Sequence, residues 1–344
     1  MTIDMHSHWS PPALIDLLRE RSEIPFIETN DAGIEILKNP RGEKPVSEAF
    51  DDIETRIKEM DDCGISTAIL STFGQFQWAE RMPVAQSIPM VRAINDSLSG
   101  YCQDYPGRFA AYASLPLADM EAAKEEFHRA LDLEGIVGAI LPGMAFQTLE
   151  DAKGYAPLME IANEKSAIIF VHWNPRPEDS WPRVKPGTDN ATLRIGTLDM
   201  QASLSANMLT FCFTDYLDAY PNLKVHVHNL GGNIPYEIGR MDHRNYLDSP
   251  DNPLPSTRLR RDNLFVDCNS FDARAIEAGV AAYGADKIVL GTDGTVFGAE
   301  WTENALKDAN ITNEERALIQ HGNASRLLSP LTTLADDMGA QAAE

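Results

Sequence analysis

The sequence predicts an α/β fold, a (β/α)8 TIM barrel, and three observations carry that expectation. Eight short, β-rich apolar runs recur along the 344 residues. Amphipathic stretches with helical spacing separate most of them, the alternation expected of a parallel sheet wrapped by helices. Histidines and a carboxylate stand at the C-terminal ends of several runs, the end at which such a barrel presents its working groups.

In chain order the runs are TIDMH (2–6), STAILS (66–71), RFAAYAS (108–114), GIVGAIL (135–141), AIIFVHW (167–173), LKVHVHN (223–229), NLFVDCN (263–269) and KIVLGTD (287–293). Between them, DDIETRIKEMDDCG (51–64) and DMEAAKEEFHRALDLEG (119–135) carry apolar residues at helical intervals and end in glycine. Two connections are too long for ordinary turns. Residues 20–49 and 174–196 are rich in Pro, Gly and Asn and follow the first and fifth strands, so they are expected to cover the site as a lid. Decorated surface loops are the other reading. The expected organisation is one barrel domain over 1–330 and a partly ordered tail over 331–344.

Composition narrows the function. Hydrophobic residues make up 43% and charged residues 24%, the balance of a soluble protein with a sizeable core. A net charge of −23 repels phosphate backbones and anionic membranes, so neither nucleic acid nor membrane is an expected partner. Cys63, Cys102, Cys212 and Cys268 lie far apart without CxxC spacing, which speaks against a zinc ribbon or a disulfide framework and for a reducing, cytoplasmic setting. No export segment and no run of 18 apolar residues is present.

His6 and His8 are two residues apart, so a strand ending in TIDMHSH points both into the barrel as a possible bidentate pair. Two solvated histidines near a terminus would look the same in isolation. His172 ends the fifth strand and Asp293 the eighth, and a carboxylate closing a buried strand needs a compensating charge. A divalent metal supplies it. Three imidazoles and one carboxylate suit Zn²⁺, with Mn²⁺ also acceptable to that ligand set.

The segments DMHSH, VHWNP, LKVHVHNLGGNIPYEIGRMDH and LGTDGTVFG resemble the consecutive signatures of the amidohydrolase superfamily (the amidohydrolase-related family), in the branch of α-amino-β-carboxymuconate-ε-semialdehyde decarboxylase. The resemblance spans nearly the whole chain. It implies a distorted barrel of the metal-dependent hydrolase type, with one catalytic divalent metal, usually Zn²⁺, held by His6, His8, His172 and Asp293. It also implies a small carboxylated aromatic or ring-cleavage acid as substrate, and a homodimer or homotetramer. No lysine ends the fourth strand, so the carbamylated-lysine bridge of two-metal relatives is not expected.

One position departs from the family pattern. The histidine that relays protons before the glycine-rich turn is replaced by Asn229. Strand alternation sets His226 and His228 on the face opposite residue 229, so the spacing favours Asn229 facing the metal, unless a bulge turns His228 inward. Asn229 can hold substrate or water but cannot transfer a proton. Arg240 matches a family arginine that binds substrate carboxylate, sometimes across a subunit contact; a helix-surface ion pair is its other reading. Asp4 is expected to orient a ligand, Trp173, Arg176, Trp181 and Arg183 to contact substrate, and His128, His243 and His321 to be structural. The function expected is metal-dependent, non-oxidative decarboxylation. The alternative is hydrolysis of a C–C or amide bond by water activated on the metal, with Asp293 taking its proton.

Overall fold

The computed structural model describes residues 1–39, 42–46, 52–72, 77–180, 187–188, 190–294 and 297–331. Eight parallel strands form the central sheet: β1 (Ile3–His8), β5 (Thr67–Ser71), β6 (Phe109–Ala113), β7 (Ile136–Pro142), β8 (Ile168–His172), β9 (Lys224–Val227), β10 (Leu264–Asp267) and β11 (Ile288–Val289). Each is hydrogen-bonded to its neighbour in that order. The ring is completed beyond β11, where the chain runs beside β1. Met5 N donates to Leu290 O at 2.9 Å, Asp293 N to His6 O at 2.8 Å and His8 N to Gly294 O at 2.6 Å.

Alternation along each strand separates two cores. Ile3, Met5, Ile69, Tyr112, Ile140, Phe170, Phe265 and Val289 pack together inside the barrel, with Leu327 and Leu328 from the last helix among them. The other strand faces meet the surrounding helices in a larger cluster that includes Leu70, Leu141, Val171, Val225, Leu264 and Ile288. The helices begin as the sequence indicates. Asp52 and Asp119 cap Ile53–Asp62 and Met120–Leu131 by accepting from Glu54 N and Ala122 N.

The insertion after the first strand is not an irregular loop. It forms an antiparallel sheet of β2 (Phe26–Thr29), β3 (Glu35–Asn39) and β4 (Gly42–Pro45). Its buried residues Ile27 and Leu37 belong to the outer core. Leu37 shares a small void with Leu14, Leu18 and Met90 of the flanking helices, so this sheet packs on the barrel wall. Trp181 and Arg183, and the tail from 332, lie outside the described residues.

Candidate metal centre and active site

The four expected ligands come together at the C-terminal mouth of the barrel. A register shift between Asp4 and Ser7 breaks the β1 ladder just where the histidines begin. His6 Nε2 and His8 Nε2 are 3.2 Å apart. The His172 ring lies 5.3 Å from His6 and 4.9 Å from His8, both edge-on. One ring nitrogen of each lies within 4.8 Å of the other two. Asp293 closes the set, with Oδ1 at 3.2 Å from His8 Nε2 and 3.8 Å from His6 Nε2. Its backbone is left-handed, φ 56°, a costly conformation for a non-glycine residue and one that clusters at functional sites.

The hydrogen bonds behind these rings direct the lone pairs. His6 Nδ1 faces Asp267 Oδ2 at 3.0 Å, so the proton sits on Nδ1 and Nε2 is left to coordinate. The Ser71 hydroxyl donates to Ser7 O and accepts from His8 Nδ1 at 3.0 Å, which selects Nε2 of His8 in the same way. Two converging nitrogens, one facing carboxylate and a His172 Nδ1 that is buried without a hydrogen-bond partner form a donor set that fits one divalent cation. Burial and the neighbouring imidazoles push His172 well below the ordinary histidine range, which keeps it neutral, as a ligand must be.

Asp267, at the end of β10, organises this layer and is absent from the residues singled out in the sequence. Its Oδ2 also accepts from His226 Nε2 at 3.0 Å, and its Oδ1 from Asn229 N at 2.8 Å and Asn269 N at 3.1 Å. Burial would raise its pKa, but His6 and the hydrogen bonds from both imidazoles outweigh it and hold the carboxyl below the ordinary range. Asp4 does not contact the ring nitrogens. It accepts from His6 N and Thr292 N at 3.1 and 3.0 Å and from Thr292 Oγ1 at 2.6 Å, so it staples the first strand to the last beneath the site.

His228 and Asn229 do not divide as the spacing suggests. β9 ends at Val227, and its inward positions are 226 and 228. His226 points at Asp267, while the His228 ring stacks on His172 at 4.5 Å and lies 5.2 Å from His6. No bulge is needed. The inward count runs through the even residues, and the chain leaves strand geometry only afterwards, where Asn229 and Leu230 are left-handed at φ 54° and 53°. That turn swings Asn229 toward the site as well, from the side. His228 Nε2 accepts from Trp173 N at 3.0 Å, so its proton lies on Nδ1, which is buried with no partner among the described residues. Burial drives its pKa down to about 3.

A cavity of about 720 Å³ opens beside these residues, with Asp293, Asn229 and Asn269 on its wall and Phe271, Phe297 and Tyr236 among its apolar lining. The second insertion contributes Thr192 and Gly196 to it, whereas no described residue of 20–49 lines it. Arg176 is held in a carboxylate cluster, 2.6 Å from Asp151 and 3.0 Å from Asp179. Trp173 packs partly buried against the outer core. Arg240 is outside the cavity lining; its side chain is 88% exposed and faces Glu237 at 3.7 Å.

Residues 3–329 match the Amidohydrolase family model. The chain belongs to the amidohydrolase family. Gamma-resorcylate decarboxylase of Rhizobium sp. (strain MTP-10005) is 28% identical over 293 residues, covering 80% of this chain and 86% of that protein. The 2-amino-3-carboxymuconate-6-semialdehyde decarboxylase of Dictyostelium discoideum is 27% identical over 296 residues, covering 80% and 76%. The fold of this amidohydrolase is that of Metarhizium anisopliae IDCase in its apo form, at TM-score 0.76 and 19% identity over 96% of this chain and 97% of that one. It is also that of a dihydroxybenzoic acid decarboxylase from Polaromonas sp. JS666 with bound manganese and the inhibitor 2-nitroresorcinol, at TM-score 0.68 and 21% identity over 95% and 96%.

Proposed function

We propose that this amidohydrolase is a metal-dependent, non-oxidative decarboxylase, a carboxy-lyase acting on a carboxylated aromatic or ring-cleavage acid. The observation that carries the reading is the His228 ring, stacked on the ligand His172 with its protonated Nδ1 unpartnered. Replacing CO₂ by a proton at carbon requires a proton-transfer group beside the metal, and His228 is the group so placed. His6, His8, His172 and Asp293 would hold one Zn²⁺ or Mn²⁺, which would supply a Lewis acid for a bound carboxylate. The protein's own part is to exclude bulk water, align the ring against the aromatic wall and supply a proton from His228, which would act in its imidazolium form, favoured by the bound anionic substrate, so that giving up the proton leaves a neutral imidazole. Asn229 positions substrate from the turn, and Trp173 and Arg176 brace the loop that borders it. That relatives of both kinds are decarboxylases supports the assignment.

The helix Ile234–Asp248 buries only Ile234, and Tyr236, Tyr246 and Leu247 are 86, 65 and 60% exposed on it. Such a face supports a homodimer or homotetramer in which Arg240 meets a substrate carboxylate at a contact between copies. Incubation of the metal-loaded enzyme with a panel of hydroxylated benzoates and ring-cleavage acids, read by mass spectrometry, tests the activity. Loss of CO₂ without gain of water is the expected result. A product heavier by one water would replace the lyase with a hydrolase.

A further inference from the structure

Three amides form a directed chain along the cavity wall beside Asp293. Gln201 Nε2 donates to Asn229 Oδ1 at 2.8 Å, and Asn229 Nδ2 donates to Asn269 Oδ1 at 3.4 Å. All three residues line the cavity. The chain ends on Asn269 Nδ2, which has no hydrogen-bond partner among the described residues although the residue is only 1% exposed. Its orientation is fixed from behind, since Asn269 N donates to Asp267 Oδ1 at 3.1 Å and its Oδ1 is already taken by Asn229. A buried donor left without an acceptor is destabilising, and native proteins retain one where something else completes it. Because each amide in the row polarises the next, the terminal NH₂ is a strengthened donor that only an acceptor oxygen can satisfy.

The rest of the cavity says what carries that oxygen. Leu198, Met200, Leu230 and the Phe271–Phe297 pair, whose ring centroids are 5.3 Å apart, make the surroundings apolar and aromatic. A flat ring fits there, and a hydroxyl or phenolate oxygen on it is the acceptor that such a wall and such a donor select together. We infer that Asn269 is a specificity-determining residue that donates to a ring oxygen of a hydroxylated aromatic acid, with Gln201 and Asn229 holding it in the donating orientation. The inference rests on the decarboxylase reading for the carboxylate and adds the second recognised group.

The test is titration calorimetry of metal-loaded wild type, Asn269→Ser and Asn269→Asp with salicylate, benzoate and phenol, beside melting temperature and metal content. Salicylate should bind wild type at least about tenfold more tightly than benzoate, since a site built to hydrogen-bond a hydroxyl discriminates against the analogue without it. Asn269→Ser should abolish that ratio and weaken phenol, with metal content unchanged. Asn269→Asp, of nearly equal volume, should weaken salicylate further because it replaces the donor by an acceptor and sets a negative charge beside an anionic ligand. Equal loss of salicylate and benzoate would assign Asn269 to the carboxylate or to stability, and a wild type that does not distinguish the two would leave the amide chain without a reading function; either overturns the proposal. Selective binding without CO₂ release would sink the decarboxylase reading and leave this one standing.

Discussion

Asp267 is the residue on which the metal centre's chemistry turns. One of its oxygens takes both His6 Nδ1 and His226 Nε2, while the other takes two backbone N–H groups. Removing its charge frees His6 to rotate and to change tautomer. Asp267→Asn should therefore weaken metal binding by about 10–100-fold, the usual effect of losing such a supporting carboxylate. Competition against a chelator with a metal-sensitive dye measures it, and unchanged affinity with only a lower melting temperature would reduce Asp267 to a structural role. His228 and Asn229 are separated by kinetics. His228→Ala should lower kcat by about 10²-fold with metal content intact, as expected for a lost proton donor. Asn229→Ala should raise KM more than it lowers kcat, because it removes positioning. The reverse pattern would return the proton to another group. Asp267 was open to sequence reasoning, because a carboxylate ending an apolar strand is the same signal that marks Asp293. Asn269 and Gln201 were not, since an amide in a sequence looks alike at a surface and at a cavity wall.

At the scale of elements, the strands were legible because burial on both faces leaves continuous apolar runs, and each observed barrel strand lies within two residues of its expected start. The antiparallel sheet β2–β4 was hidden because its strands are short and half exposed, with only Ile27, Leu37 and Asn39 buried among its described residues. The inward face of β9 was misjudged for a different reason. Alternation fixes which residues share a face, but the last residue of the strand decides where the turn begins, and that was placed two residues late. Beside the site, Gly291 leaves no room for a side chain: a Cβ there would come within 2.7 Å of Asp267 Cγ and 2.8 Å of His6 Cβ. Gly291→Ala should cost about 1–3 kcal/mol through overpacking, read as a lower denaturation midpoint, and should displace His6 enough to reduce metal content. Retention of both would show that the strands can part.

A second element-scale prediction concerns the turn Gln77–Arg81. Glu80 is buried there, one of its oxygens has no partner among the described residues, and burial pushes its pKa up to about 8 against the opposing pull of Ser114 and Arg81. The folded protein thus holds a proton that the unfolded chain releases near pH 4.5. Stability conferred by that proton is full below the unfolded value and falls as pH rises toward about 8. Glu80→Gln should match wild type near pH 5 and exceed it above pH 8, by an amount on the order of a few kcal/mol. Parallel stability–pH curves for the two proteins would remove Glu80 from the account.

For the whole molecule, the proposed assembly rests on the exposed face of Ile234–Asp248. If copies meet through it as proposed, wild type should sediment as a dimer or tetramer, and replacing Tyr246 and Leu247 together by Asp should give single chains in sedimentation equilibrium, since charge on the apolar centre of an interface is strongly unfavourable. Turnover should fall with it, because Arg240 would lose its place at the contact. An unchanged apparent mass would remove this face from the proposed assembly.

The two ends of the barrel ladder meet at the metal centre, and this carries a consequence for synthesis. Asp4 and Thr292, which bond directly beneath the ligands, are 288 positions apart, and His8 must wait for Asp293 from the far end of the chain. During synthesis the pocket therefore cannot close until residues 292–294 have been made, and His6 and His8 wait for their carboxylate. Fragments that stop short of Asp293 lack one of the four converging groups, so they are expected to hold a divalent metal less tightly than a chain that includes it.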